Sequence, residues 1–319
     1  MDGRVGTEHG ERLLRGANVD TELSRRGLLV GAAATALSIL PAAPAFASGG
    51  QGEASARLRE LEQAYQGRIG AFALDTGSGA RIAYRSLERF PLLSTFKAFA
   101  AAAILDTARR CDPGLLDRLV RWTAADLVPS SPITEQHVDT GLTVAQLCAA
   151  AITVSDNTAG NLLLRQIGGP PGMTRYFRSI GDPISRLDRW EIELNDWHPG
   201  ERRDTTTPAA AAADLRRVTL GRALVAEDRQ RLIGWLRDNK TGGARIRAGL
   251  PATWVIGDKT GASSVYGALN DIAVAWPPSA APVIFAIYTN RLAADLPFDN
   301  AVVASAATIL ADALGLTGG

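Results

Sequence analysis

The chain has 319 residues, 46% of them hydrophobic, and a formal net charge of +1. That length and apolar content suit one large domain or two intimately packed ones around a sizeable core. A near-neutral balance with 6% aromatic residues lacks the basic excess that marks a nucleic-acid partner, so that class is set aside.

The first segment does not read as fold. The run LSRRGLLVGAAATALSILPAAPAFASGG has a charged start, a short alanine-rich apolar stretch and Ala45-Phe46-Ala47 as a small-x-small cleavage site. Residues 1–47 are therefore expected to be an export signal, cleaved after about Ala47. Ser24-Arg25-Arg26-Gly27-Leu28-Leu29 resembles a twin-arginine signal, with a plain secretory signal as the alternative. The stretch is too short and too rich in alanine for a permanent membrane span. Export across a bacterial inner membrane, to a periplasmic or extracellular location, is the expectation. Acids and bases are equal in number within residues 1–47, so the mature chain keeps its balance.

In residues 48–319 the elements follow in chain order. ASARLRELEQAYQ puts Leu58, Leu61 and Tyr65 on one face and predicts an amphipathic helix. IGAFALD, the turn TGSG and RIAY predict a β-hairpin. From Ser94 to about Lys240 the pattern is helical, broken by LVPSSP and by an irregular run from Asp188 to Pro208. Strands return in TWVIGDK, ALNDIAVAW and PVIFAIYT, and NAVVASAATILADAL closes the chain as an apolar-faced helix. This order predicts an α/β fold. Sheet-forming segments at about 53–91 and 241–319 would build one antiparallel sheet, with a helical subdomain at about 92–240 inserted between them.

Lysine usage points to the chemistry. Of 34 lysines and arginines only Lys97, Lys240 and Lys259 are lysines. Arginine stays protonated in proteins, whereas a buried lysine can lose its proton and act as a base. Lys97 lies in STFKAFAAAAIL, a helix apolar on all sides and so expected to be buried, one turn after Ser94. The free N–H groups at a helix start favour a developing oxyanion. An activated serine nucleophile fits this pattern; so does an N-capping Ser94 with a snorkelling Lys97, and the spacing alone leaves both open.

Two further stretches bear on that choice. Ser155-Asp156-Asn157 interrupts an apolar helical run, and Lys259-Thr260-Gly261 ends an apolar strand. Singly these read as a helix cap and a strand-end turn. Jointly and in this order, Ser-x-x-Lys, Ser-Asp-Asn and Lys-Thr-Gly resemble the penicillin-recognising serine enzymes. A fourth stretch, SRLDRWEIELNDWHPGERRDTTTP, is similar to the omega loop of class A β-lactamases, with Glu191 and Asn195 at the family's Glu-x-x-x-Asn spacing. The resemblance spans about residues 53 to 316.

The resemblance implies a five-stranded antiparallel sheet flanked by N- and C-terminal helices and packed on an all-helical subdomain. It implies hydrolysis of β-lactams through a serine acyl-enzyme. Ser94 would be the nucleophile, with Lys97 or Glu191 as acylation base. The N–H groups of Ser94 and Ala262 would form the oxyanion hole, and Ser155 would relay a proton to the leaving nitrogen. Glu191, with Asn195, would position the hydrolytic water. Asn157, Lys259, Thr260 and Gly261 would bind substrate, and Arg189 with Asp204 would close the neck of the loop. No cofactor or metal is implied, the partner is a small-molecule β-lactam, and a monomer is expected.

The sequence departs from the family in places. Ile192 follows Glu191 where many relatives have proline after a cis bond, and cis is expected here too. Leu269 stands where many relatives carry a substrate-binding arginine, and Arg245 is nominated as its substitute, with a surface arginine as the alternative. Ser130 replaces a common aromatic wall, predicting a more open entrance. GASSVYGALND is one residue longer than common versions, leaving the roles of Ser263 and Ser264 open. The family's frequent disulfide would pair Cys148 with position 101, which is Ala101, so two free thiols are expected, Cys111 and Cys148. Ala262, lacking a hydroxyl, favours penicillins. The rival readings are a cell-wall D-alanyl-D-alanine peptidase and a non-turnover penicillin sensor. A metal hydrolase lacks the histidine spacing it would need among three histidines.

Overall fold

The computed structural model describes residues 48–317; the export-signal expectation falls on residues outside them. Among the described residues no helix is long and apolar enough to cross a membrane.

Helix α1 (Ser48–Tyr65) leads into the hairpin β1 (Gly67–Asp75) and β2 (Arg81–Tyr84). A two-residue strand β3 (Phe90–Pro91) precedes α2 (Phe96–Arg110), and the short β4 (Leu119–Val120) and β5 (Leu142–Thr143) pair with each other. Helices α3 (Val144–Thr153), α4 (Asn157–Gln166) and α5 (Gly169–Ser179) follow. Then come β6 (Thr205–Thr206), α6 (Pro208–Thr219) and α7 (Ala226–Arg237). The chain ends with β7 (Val255–Ala262), β8 (Leu269–Trp276), β9 (Val283–Arg291) and α8 (Asn300–Ala313). The main sheet has the order β2-β1-β9-β8-β7, antiparallel throughout, as the resemblance implied.

Alternation along the strands supplies two cores. On β9, Val283, Phe285 and Ile287 face α1 and α8, while Ile284, Ala286 and Tyr288 face the helical side. Because both faces are covered, the strand reads as a continuous apolar run. At the centre of the helical side lies α2, where every residue from Phe96 to Leu105 is buried. Its alanines let the neighbouring helices approach closely. Burial of Lys97 follows from the apolar character of its own helix.

One local expectation needs correction. Ser94 does not begin the α-helix: Leu93–Thr95 form a 3-10 turn and α2 starts at Phe96. Leu93 takes a left-handed φ of +48°, which turns the chain sharply into Ser94. Ser155 and Asp156 lie in the break between α3 and α4, and Asn157 is the first residue of α4, so the triplet interrupts the helical run as expected. Ser155 has φ +59°, and Asp156 caps α4 through a bond from Ala159 N. The Asp156 carboxylate also accepts from the N–H groups of Ile133 and Thr134, so one buried group ties that break to the 128–135 loop. Both cysteines are free, as expected.

Candidate active site

The 3-10 turn before α2, the α3–α4 break, the Asp188–Pro208 loop and the strand β7 converge on Ser94. Ser94 Oγ accepts from Lys97 Nζ at 2.9 Å and donates to Glu191 Oε1 at 3.2 Å. Lys97 Nζ also reaches Ser155 O (2.8 Å), Asn157 Oδ1 (2.5 Å) and Glu191 Oε1 (3.0 Å). The amine therefore faces acceptors on every contact. Complete burial pushes the Lys97 ammonium below its ordinary value, and the charge of Glu191 opposes that shift. Both partners of Ser94 Oγ are placed to take its proton.

Glu191 is fixed by its backbone as well as its carboxylate. Asn161 of α4 accepts from Glu191 N and donates to Glu191 O, both at 2.9 Å. The Glu191–Ile192 peptide is cis, as expected. Asn195 Nδ2 donates to Glu191 Oε2 at 2.6 Å, while Asn195 Oδ1 is buried without a protein partner among the described residues. At the neck of the loop, Arg189 Nε donates to Asp204 Oδ2 at 2.6 Å, and Asp204 Oδ1 accepts from the N–H groups of Asp188 and Arg189. Glu193, the other acid of the stretch, is exposed.

The opposite wall is β7. Lys259 Nζ donates to Ser155 Oγ at 3.1 Å and to Thr260 O at 2.8 Å. Burial, then the nearby Lys97, hold the Lys259 amine well below its ordinary value. Gly261 is required by close approach: a Cβ there would stand 2.8 Å from Leu93 Cβ and 3.2 Å from Ser94 N. The next residue, Ala262, ends β7 exposed at the mouth of the site. Thr260 Oγ1 shares a hydrogen bond with Thr241 Oγ1.

Arg245 lies behind the strand end rather than on the surface, only 7% exposed. Its Nε donates to Asn300 Oδ1 and its Nη1 to the carbonyls of Gly261 and Asn270, all at 2.9 Å. Burial lowers its pKa from the ordinary value, opposed by Asp271 and Asp258. Asn157 keeps its Oδ1 on Lys97 and spends one amide N–H on Pro129 O, leaving the second N–H for a ligand. Ser130, in the left-handed region at φ +62°, is exposed beside it and offers no ring to stack on.

Four residues that organise the site were given no role by the sequence. Asn161 is one turn beyond Asn157 on α4, and a buried polar residue on that apolar face was the available signal. Gly160 lets the helix backbone lie against the Lys97 side chain, since a Cβ there would stand 2.9 Å from Lys97 Cε. Ser263 Oγ donates to Asn195 O and accepts from Val265 N, each at 3.1 Å. Tyr266, at φ +51°, meets Trp197 edge-on with ring centroids 6.1 Å apart. The turn after β7 thus grips the loop that carries Glu191.

This constellation can attack a carbonyl, protonate a leaving nitrogen and then activate a water, and known proteins share the fold that builds it. A family described as the beta-lactamase enzyme family matches residues 53–314. The carbapenem-hydrolyzing β-lactamase KPC of Klebsiella oxytoca is 49% identical over 290 residues, covering 91% of this chain and 94% of its own. The β-lactamase AST-1 of Nocardia asteroides is 52% identical over 262 residues, 82% of this chain and 84% of its own. Among solved structures, a β-lactamase from Streptosporangium roseum has 63% identity and a TM-score of 0.82, covering 83% of this chain and 99% of that one. With a matching family over most of its length and relatives near half identity, the chain belongs to the class A β-lactamases.

Proposed function

We propose that the protein hydrolyses the amide bond of β-lactams in two steps, through an ester on Ser94, and so confers resistance to them. One observation carries the reading. Glu191 places one carboxylate oxygen 3.2 Å from Ser94 Oγ and the other 2.6 Å from Asn195 Nδ2. A carboxylate so held can deprotonate a water aimed at an acyl carbon on Ser94. A peptidase or a non-turnover sensor has no use for that group.

In acylation, Ser94 Oγ bonds to the lactam carbonyl carbon as its proton passes to Lys97 or Glu191. The oxyanion is held by the N–H groups of Ser94 and Ala262, one such donor being worth about 3–4 kcal/mol. The C–N bond breaks as Ser155 gives its proton to the nitrogen and takes in its place the proton that left Ser94, so Ser155 ends protonated and Glu191 ends ionised; Lys259 Nζ, 3.1 Å from Ser155 Oγ, orients that hydroxyl. Asn157, with its free N–H, holds the substrate's side-chain amide. Lys259, Thr260 and Arg245 take the substrate carboxylate, Arg245 from behind the strand end. In deacylation, water donates to Glu191 and to the orphaned Asn195 Oδ1; its oxygen bonds to the acyl carbon as Glu191 takes its proton, the ester bond to Ser94 Oγ breaks, and Glu191 passes the proton to that oxygen. Arg189 and Asp204 keep the loop closed.

The test is hydrolysis of a chromogenic cephalosporin by mature protein, beside Ser94→Ala and Glu191→Ala. Turnover by the wild type, none by Ser94→Ala and a trapped acyl-enzyme with Glu191→Ala are expected. A wild type that is acylated stoichiometrically and never turns over would overturn the reading. Ala262 offers no hydroxyl to a substrate, which favours penicillins; kcat/KM for a penicillin, a cephalosporin and a carbapenem ranks them. Residues 1–47 act as an export signal of the twin-arginine type, supported by Arg25-Arg26 and the Ala45-Phe46-Ala47 site. An exported protein that starts near Ser48, and retention of the double variant Arg25→Lys, Arg26→Lys inside the cell, are the results expected.

A further inference from the structure

Away from Ser94, a cavity of about 370 Å³ lies between the β1–β2 edge of the sheet and α6. Its origin is local. On β2, Ile82 is fully buried against α1 and α8, so Arg81 and Ala83 project from the other face, toward α6. They stand opposite Leu74 and Phe72 of β1. Across from them α6 presents Ala209 and Ala213, one turn apart, and then Arg216 and Arg217. Alanines on both sides leave room that larger side chains would fill. The result is an apolar floor with three guanidinium groups around it and no carboxylate in the lining.

The guanidinium groups are not all spoken for. Arg217 Nη1 is committed to Asp214 at 2.7 Å. Arg81 differs: its Nε is buried and has no hydrogen-bond partner among the described residues. The volume falls within the ~300–1,000 Å³ common for small-molecule sites. Charge and floor together specify the ligand.

We propose that this cavity is a second binding site, for a small soluble amphiphilic anion: a carboxylate or sulfonate head on Arg81 and Arg216 and an apolar body against Phe72 and Leu74. The head accepts from the terminal N–H groups of Arg81 and Arg216 in charge-assisted bonds. The apolar body displaces water from the alanine-lined floor.

The probe is 8-anilinonaphthalene-1-sulfonate, titrated by fluorescence into the folded mature protein. A drug-sized ligand of ordinary efficiency should bind at one saturable site with Kd of about 10–100 µM. Decanoate should displace it and decylamine should not. The double variant Arg81→Met, Arg216→Met should weaken binding by about tenfold or more, since charge-assisted bonds are lost, with Tm and cephalosporin turnover unchanged. Ala213→Trp, which fills the cavity, should abolish it. Phosphatidylglycerol vesicles should not retain the protein; retention that depends on Arg81 would assign the site to a lipid surface and overturn the proposal. Equal affinity in all variants, or no saturation by about 1 mM, would also overturn it.

Discussion

Replacing Gly160 by alanine separates stability from catalysis. Gly160 is buried in the middle of α4, where alanine has the better helix propensity by up to about 1 kcal/mol. The added Cβ would stand 2.9 Å from Lys97 Cε and 3.5 Å from Phe96 Cζ. Carbon atoms prefer ~3.5–4.0 Å, so Lys97 Cε must retreat by about 0.6 Å or more. Its Nζ has four contacts of 2.5–3.0 Å, on Ser94, Ser155, Asn157 and Glu191, and no free direction to move. A displacement near 1 Å costs ~100-fold in rate, so Gly160→Ala should lower kcat/KM by about 10- to 100-fold. Overpacking of ~1–3 kcal/mol is offset in part by the propensity gain, so Tm should fall by no more than a few degrees, about 2–4 °C per kcal/mol. Stopped-flow acylation by a chromogenic cephalosporin, alongside a thermal melt, reads both quantities. A kcat/KM within about twofold of wild type would refute the reasoning, because it would mean that the ~0.6 Å shift does not reach Nζ.

Arg245→Ala removes a guanidinium expected to meet the substrate carboxylate, and KM for a penicillin should rise by about 10- to 100-fold, the range for a charge-assisted bond. An unchanged KM would remove Arg245 from substrate binding. Ser263→Ala deletes the bond to Asn195 O, and deacylation should slow by about three- to tenfold while acylation holds, since one net hydrogen bond is at stake; equal loss in both steps would contradict that. Burial and the facing Asp182 push the Asp214 carboxyl up to about 9 from an ordinary 3.8, against the pull of Arg217. The folded chain then keeps a proton that the unfolded chain releases near pH 4, so this group's stabilisation declines as pH rises from there toward 9, by up to about 1.4 kcal/mol per pH unit. Asp214→Asn should flatten that slope in urea titrations between about pH 6 and 9, and an identical slope in both proteins would sink the assignment.

Much of the architecture was legible along the chain. Period-two and period-3.6 patterns located the β1–β2 hairpin, the three C-terminal strands and the closing helix, because side-chain direction in a regular element follows from local geometry. The apolar run around Lys97 foretold its burial for the same reason. The error fell where the backbone leaves regular geometry, at the 3-10 turn carrying Ser94. The resemblance carried by Ser-x-x-Lys, Ser-Asp-Asn, Lys-Thr-Gly and Glu-x-x-x-Asn nominated Ser94, Lys97, Ser155, Glu191 and Lys259, where the spacing of any one motif left its alternatives open.

Other features belonged to the tertiary structure alone. That Asn161 holds the backbone of Glu191, thirty residues away, depends on how α4 meets the loop. That Gly160 makes room for Lys97 and that Ser263 grips Asn195 depend equally on distant segments meeting at atomic distance. The same is true of the space left between Ala83 and Ala213. Periodicity tells which face of an element is buried, but only packing decides which residue stands against it, because contact is set by the summed positions of elements far apart in the chain.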